Sequence, residues 1–199
     1  MGSAEIKQMQ HADIEEAAEV LSHTMLHNPI HVAVYQGESE TERKQIENAF
    51  LALLRDRSEE VFVAKQGSQI IGICRSYVCR GGRFIAHDVQ KNLDASDPGL
   101  ASSTERSNYW KGIWASRDPL ILHCHLGPIG VLPEFQNLGV GTLLMERYCK
   151  LADERKLPGY LETDTVTNVS FYRKFGFNTI EEYEVLEVMN YFMWRDIQG

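Results

Sequence analysis

The stretch from Ile129 to Thr142, Ile-Gly-Val-Leu-Pro-Glu-Phe-Gln-Asn-Leu-Gly-Val-Gly-Thr, constrains the fold of this chain more than any other. It reads as the end of a strand, a tight turn and the start of a helix. Upstream, Pro119 to Val131 is mostly apolar and stops at Pro133, which cannot continue a central ladder. Downstream, Val140, Leu143, Leu144, Tyr148 and Leu151 recur at helical spacing. Between them, Gln136-x-x-Gly139-x-Gly141 leaves backbone N–H groups unobstructed at a helix N-terminus, where unpaired donors and the macrodipole favour an anion. The turn is therefore a candidate pyrophosphate cradle. It is neither the G-x-G-x-x-G of a dinucleotide fingerprint nor a Walker loop, which needs Gly-Lys-Ser/Thr.

A second stretch, Asn168-Val169-Ser170-Phe171-Tyr172-Arg173-Lys174-Phe175-Gly176-Phe177, follows after a predicted strand from Gly159 to Thr163. Two patterns then stand in order: Val131-x-Pro133 with Gln136-x-x-Gly139-x-Gly141, and Asn168 followed by Phe171-Tyr172-x-Lys174-x-Gly176-Phe177. Together they resemble the two signatures of the GNAT (Gcn5-related N-acetyltransferase) superfamily and cover about the C-terminal third of the chain. The resemblance implies an α/β fold with a mixed, mostly antiparallel sheet of about seven strands flanked by helices, its coenzyme-binding strand bulged and splayed. It also implies acetyl-CoA as co-substrate, no metal, and direct acetyl transfer to a primary amine in a ternary complex.

With 199 residues the chain suits one domain, residues 1–199, able to bury roughly 70% of its unfolded surface. No run of 18 apolar residues exists, and Met1-Gly2-Ser3-Ala4-Glu5-Ile6 lacks a signal-peptide core, so a cytoplasmic protein without a membrane partner is expected. A net charge of −8 disfavours nucleic acid, which needs clustered Lys and Arg. Cys74, Cys79, Cys124 and Cys149 show no CxxC spacing, which argues against a zinc ribbon or a redox pair and leaves reduced core thiols.

In order, Glu5 to Met9 is read as the first strand. Asp13 then caps a helix carrying Ile14, Ala17, Ala18, Leu21 and Met25, with Glu16 completing a capping box. That helix ends near His27-Asn28-Pro29, residues 30–40 read as a loop, and a second helix runs from Thr41 to Arg55. Val61 to Lys65 and Gln69 to Ser76 flank Gly67-Ser68 as a hairpin. Residues 78–118 interrupt the expected order as an insertion long enough for a lid, a binding loop or a disordered segment. Within it Tyr109 to Trp114 forms a short helix that either lays its Trp face on the acceptor mouth or plugs the sheet edge. Gly127-Pro128 in mid-strand demands a bulge or an open edge. Asn178 to Leu186 and Glu187 to Trp194 close the sheet.

The resemblance also assigns roles. The gap beside the bulged strand receives pantetheine, with the backbone of Ile129 and Val131 meeting the acetyl and pantetheine amides. Gln136, Asn137, Leu138, Gly139, Val140, Gly141 and Thr142 bind pyrophosphate, Asn tolerating the left-handed geometry at a position where the family often has Gly. Asn168 contacts pantetheine or orients the helix after it. Tyr172 is the general acid for the departing thiolate, a phenol being a neutral donor at pH 7, and a backbone N–H near Ile129 or the same phenol stabilises the oxyanion. Period-two alternation puts His123 and His125 on one strand face; His125, then His123, are candidate general bases, or else hydrogen-bonded core residues. No Glu lies on that strand before Glu134. His27, His31 and Tyr35 are candidates for acceptor contact or ordinary loop residues. The expected acceptor is a small-molecule amine; a lysine or N-terminal acceptor and a non-catalytic acyl-CoA sensor are the alternatives. Relatives that dimerise through late strands make Tyr183, Tyr191, Phe192 and Trp194 either homodimer or core residues.

Overall fold

Apolar residues on both sides of Gly67-Ser68 build a long hairpin, and the sheet extends outward from it. The computed structural model describes residues 4–55, 60–80 and 97–198. Met1 to Ser3 and the Gly81-Gly82 part of the expected insertion lie outside the described residues. The strands are β1 (Glu5–Gln8), β2 (Glu60–Gln66), β3 (Gln69–Cys79), β4 (His123–Val131), β5 (Gly159–Thr163), β6 (Asn178–Val185) and β7 (Val188–Arg195). They form one seven-stranded sheet in the order β1-β2-β3-β4-β5-β7-β6. All neighbouring pairs are antiparallel except β4 and β5. The architecture is the expected mixed, mostly antiparallel α/β sheet.

Helices cover both faces. On one, α1 (Ile14–Met25) and α3 (Glu40–Leu54) bury Ala17, Leu21, Ile46 and Phe50 against Val63, Ile70 and Ile73 of the sheet. On the other, α5 (Val140–Glu154) and α6 (Val166–Arg173) bury Leu144, Tyr148, Val169 and Tyr172 against Cys124, Leu126 and Leu161. Each large side chain so buried stabilises by roughly 1.5–3 kcal/mol, before the entropy of ordering it is set against that. The Tyr148 hydroxyl donates to the Cys124 carbonyl at 2.6 Å and locks α5 to β4. A Cβ at Gly130 would collide with the Thr24 side chain, so glycine there lets α1 lie close on β4.

Several local expectations are corrected. Residues 30–40 are not all loop, because α2 (Pro29–Tyr35) occupies them. The first helix ends at Met25, close to the expected place, and Asn28 and Pro29 also start the next one: the Asn28 side chain accepts from His31 N–H, and Pro29 fills the first turn, where its missing N–H costs nothing. Asp13 stands at the N-cap position of α1, but its side chain makes no capping bond there. It accepts from Gln10 N–H at 2.8 Å and pairs with Lys65 at 2.5 Å, while Glu16 accepts from Ile70 N–H instead of closing a box. The strand expected from Pro119 begins at His123, since β3 ends at Cys79 opposite it; Leu120, 80% exposed, has no sheet to face. Leu143 is likewise partly exposed.

The described part of the 78–118 segment is largely structured. β3 runs on to Cys79, and α4 (Ser103–Arg117), started by a Ser102/Glu105 capping box, is longer than the helix expected over 109–114. Tyr109, Trp110 and Ile113 pack on Ile30 and Val34 of α2 and on Val185 and Leu186 at the β6–β7 turn. Arg106, buried, donates to the Val34 and Leu100 carbonyls at 2.7 and 2.8 Å. Trp114 Nε1 donates to Asn190 of β7 at 3.0 Å. These contacts fix α2 and α4 over the sheet face that carries His123 and His125.

Candidate active site

The site begins where two parallel strands part. β4 and β5 pair for three steps, Cys124 with Gly159, His125 with Tyr160 and Leu126 with Leu161. On the other side of β4, Cys74 faces Ile129 and Ser76 faces Leu126, so Gly127 and Pro128 together oppose Arg75. This is the bulge that Gly127-Pro128 requires, and Arg75 Nη1 braces it by donating to the Gly127 carbonyl at 2.6 Å. From Gly127 to Val131, β4 keeps β3 on one side and, among the described residues, has no strand pairing on the β5 side. Backbone N–H and C=O groups facing such a gap need partners, and a ligand with its own amides can join as an added strand.

At the end of β4 the chain turns through Pro133–Phe135 and enters α5 by way of Asn137 (φ 59°) and Gly139 (φ 87°). Both left-handed positions carry residues that tolerate them. Gln136 folds back, its Nε2 donating to the Val131 carbonyl at 3.0 Å, which ties the turn to the strand end. Leu143 N–H to Gly139 C=O, 3.1 Å, is the first rung of α5, so the N–H groups of Val140, Gly141 and Thr142 precede the ladder. Gln136, Asn137, Leu138, Gly139 and Thr142 are exposed. Among the described residues nothing lies within 4 Å of where a Gly139 Cβ would project. An exposed, glycine-opened helix N-terminus next to a strand gap fits a pyrophosphate followed by a pantetheine arm.

Tyr172 enters from the α5–α6 face. It is buried in the cluster that holds Cys74, Leu126 and Leu161, the residues around the point of parting. Burial pushes its phenol further above the ordinary tyrosine range, so it stays protonated. Asn168 sits half-buried in the first turn of α6, whose cap is Thr165. Asp164, just past β5, accepts from Asn28 Nδ2 and Ile30 N–H, both at 2.8 Å, and pins the α1–α2 junction to the end of β5.

His125 lies on the opposite sheet face. Its Nε2 is 2.8 Å from Glu162 Oε2, its Nδ1 2.8 Å from the Tyr77 hydroxyl, and its ring packs edge-on against Tyr160 at 5.1 Å. Burial disfavours the imidazolium, but the Glu162 and Asp118 carboxylates outweigh burial and lift the pKa to about 9. At neutral pH His125 is therefore a cation held between acids. His123 is fully buried; its Nδ1 meets the Ile121 carbonyl at 2.7 Å and its Nε2 lies 3.0 Å from Asp118 Oδ1.

His125 and Tyr172 thus approach from opposite faces, and the gap between β4 and β5 joins the two faces. Of the remaining histidines considered, His31 is a core residue: it bonds Asn28 Oδ1, packs on Phe50 and Trp110, and burial drops its pKa to about 3. His27 pairs with Glu38 at the surface. Tyr35 stacks on His31. Sequence reasoning missed Glu162, Asp118, Tyr77 and Asp164. Period-two alternation in Gly159–Thr163 puts Glu162 on the Tyr160 face, a signal that becomes readable once β5 is known to lie beside His125.

Residues 103–179 match the acetyltransferase (GNAT) domain family. The whole fold is similar to arylalkylamine N-acetyltransferase 2 from Aedes aegypti, with 15% identity, 99% of this chain and 100% of that one covered, and a TM-score of 0.70. It is also similar to the ribosomal-protein-S18-alanine N-acetyltransferase from Escherichia coli (15% identity, 99% and 97% covered, TM-score 0.60). A GNAT family acetyltransferase from Brucella melitensis in complex with acetyl-CoA is a third (17% identity, 100% and 91% covered, TM-score 0.55). The class defined by this fold and domain match is the acyl-CoA-dependent N-acetyltransferase, which transfers acetyl groups to amines. Residues 103–179 thus carry a match to the GNAT acetyltransferase domain, and the fold around them is shared with solved GNAT proteins.

Proposed function

We propose that this enzyme moves an acetyl group from acetyl-CoA directly to the primary amine of a small molecule, within a ternary complex. One observation carries the reading: β4 leaves β5 after Leu126, with Tyr172 beside the opening on one face and the His125–Glu162 pair on the other. In this reading the backbone of Ile129 and Val131 holds the pantetheine arm. The turn from Gln136 to Thr142 holds the pyrophosphate, and Asn168 orients α6.

An amine arrives as an ammonium ion and must lose a proton before it attacks. His125 takes that proton after giving up its own. With its pKa at about 9, roughly one His125 in a hundred is neutral at pH 7, so turnover rises with pH. As the N–C bond forms and the C–S bond breaks, Tyr172 donates its proton to the departing thiolate. His123, fully buried and with its Nδ1 held by the Ile121 carbonyl, takes no part in this transfer.

Two features support a small acceptor. The Glu162 and Asp118 carboxylates stand with Tyr77 and Tyr160 around His125, a surround suited to a compact cation. Helices α2 and α4 pack together over the face on which a peptide would need an open groove. The test is kcat/KM for polyamines, arylalkylamines, aminoglycosides and amino acids against lysine and N-terminal peptides. A small amine preferred over every peptide supports the reading, and a preferred peptide rejects it.

A further inference from the structure

Three metal-ligating side chains from separate parts of the chain meet beside the candidate site. Cys79 is the last residue of β3, Asp118 follows α4 directly, and His123 is the first residue of β4. One ligand atom from each lies within 4.8 Å of the others. Cys79 Sγ donates to Asp118 Oδ2 at 2.8 Å.

The histidine makes the cluster more than an acid beside a thiol. His123 Nδ1 sits 2.7 Å from the Ile121 carbonyl, which can only accept, so Nδ1 carries a proton. In the neutral ring Nε2 is then a bare lone pair. It lies 3.0 Å from Asp118 Oδ1, yet neither atom has an aligned hydrogen-bond partner, and His123 is fully buried. Two acceptor atoms facing each other away from water call for a proton or a metal ion between them, and the Cys79 thiol at the other Asp118 oxygen supplies the third ligand that a metal needs. An imidazole whose other nitrogen donates to a backbone carbonyl is the arrangement that orients a metal ligand.

We propose that Cys79, Asp118 and His123 form a binding site for a divalent transition metal, with zinc as the best fit. Thiolate, imidazole and carboxylate are zinc's own ligand types, and a thiolate with a carboxylate neutralises its double charge in a buried place. Tetrahedral zinc, at about 2.0–2.3 Å from each ligand, spaces its ligand atoms about 3.3–3.6 Å apart, so the cluster opens modestly to admit it. Binding displaces the thiol proton, which leaves to solvent as the Cys79 sulfur bonds the metal. His125 already engages Tyr77 and Glu162, so it stays outside the ligand set and the fourth position is open to water. Held this way, the metal ties the end of α4 to the adjoining ends of β3 and β4.

The full-length, chelator-stripped protein titrated with cobalt(II), then zinc(II), tests the proposal. The expected result is one equivalent of cobalt giving a thiolate-to-cobalt charge-transfer band in the near ultraviolet, displaced by zinc. Zinc is also expected to raise the melting temperature. Cys79→Ser removes the band, and Cys79→Ser and His123→Gln each weaken zinc about tenfold or more, whereas Cys149→Ser leaves band and affinity unchanged. Melting of the metal-free variants shows that they fold, and Asp118→Asn serves if one does not. Absence of a band in the wild-type protein overturns the proposal without any variant. A band that persists in Cys79→Ser, or vanishes with Cys149→Ser, overturns it equally.

Discussion

His125 Nε2 lies 2.8 Å from Glu162 Oε2, one residue before the step at which β4 and β5 separate. The pair is buried, with side-chain exposures of 10% and 3%. In the proposed mechanism it sets the protonation state that acetyl transfer has to overcome.

If Glu162 is what holds the proton on His125, removing its charge lowers the imidazole pKa. In Glu162→Gln the His125 titration, followed by NMR of the ring carbons, moves down from about 9 by at least about one unit. The inflection in kcat/KM moves with it. An unchanged titration would mean that Asp118 alone sets the charge.

The same shift is a statement about stability. The folded pKa of about 9 is above the unfolded value near 6.5, so the stabilisation is complete below pH 6.5 and is lost as pH rises through 9. Its size is on the order of 3 kcal/mol. Denaturant unfolding should show wild type losing more stability than His125→Gln between pH 6.5 and 9.5, the difference cancelling the other groups that titrate in that range.

Tyr172→Phe keeps the ring that packs near Phe171 and Phe177 and deletes only the hydroxyl. A lost general acid costs about 100-fold or more in kcat. KM for acetyl-CoA and the unfolding midpoint should change little. A parallel loss of stability would instead make the tyrosine a packing residue.

Gly139 sits at φ 87° with open space where its Cβ would be, so Gly139→Ala brings strain without a clash. The expected cost is about 1–2 kcal/mol of stability. If the turn is the pyrophosphate cradle, KM for acetyl-CoA rises severalfold while kcat at saturation is preserved. Steady-state kinetics with acetyl-CoA varied would check both.

Asp164→Ala removes the acceptor of two 2.8 Å hydrogen bonds that hold Asn28 and Ile30 to the end of β5. The loss should be about 2–4 kcal/mol, since both donors are left part-buried. Asp164→Asn, which keeps one acceptor oxygen, should recover part of it in a thermal melt.

The two glycine-bearing motifs made the C-terminal half legible in the chain itself, because a strand, an anion-ready turn and a helix each have local signatures. Gly127-Pro128 told of the bulge for the same reason: proline cannot serve a regular ladder. What escaped reading is long-range. Asn28-Pro29 stops one helix and starts another, and only the packing of Ile30 and Val34 on α4 makes the second helix worth forming. Glu162 belongs to the site through parallel pairing with β4, a relation separated by 37 residues in sequence. Asp118 comes from a connection with no periodicity at all. Leu120 to Leu122 read as strand from composition alone, yet β3 ends before it could pair with them.

The most direct test of the central claim is a rapid-quench single turnover with acetyl-CoA and the best amine of the acceptor panel, counting free thiol, acetylated amine and acetylated enzyme together. Direct transfer through the β4–β5 gap predicts thiol and acetylated amine appearing at the same rate and in equal amounts. It also predicts no acetyl group on the protein when acetyl-CoA is supplied alone. Thiol released without an amine, or an acetylated enzyme formed before the amine is added, would contradict the account.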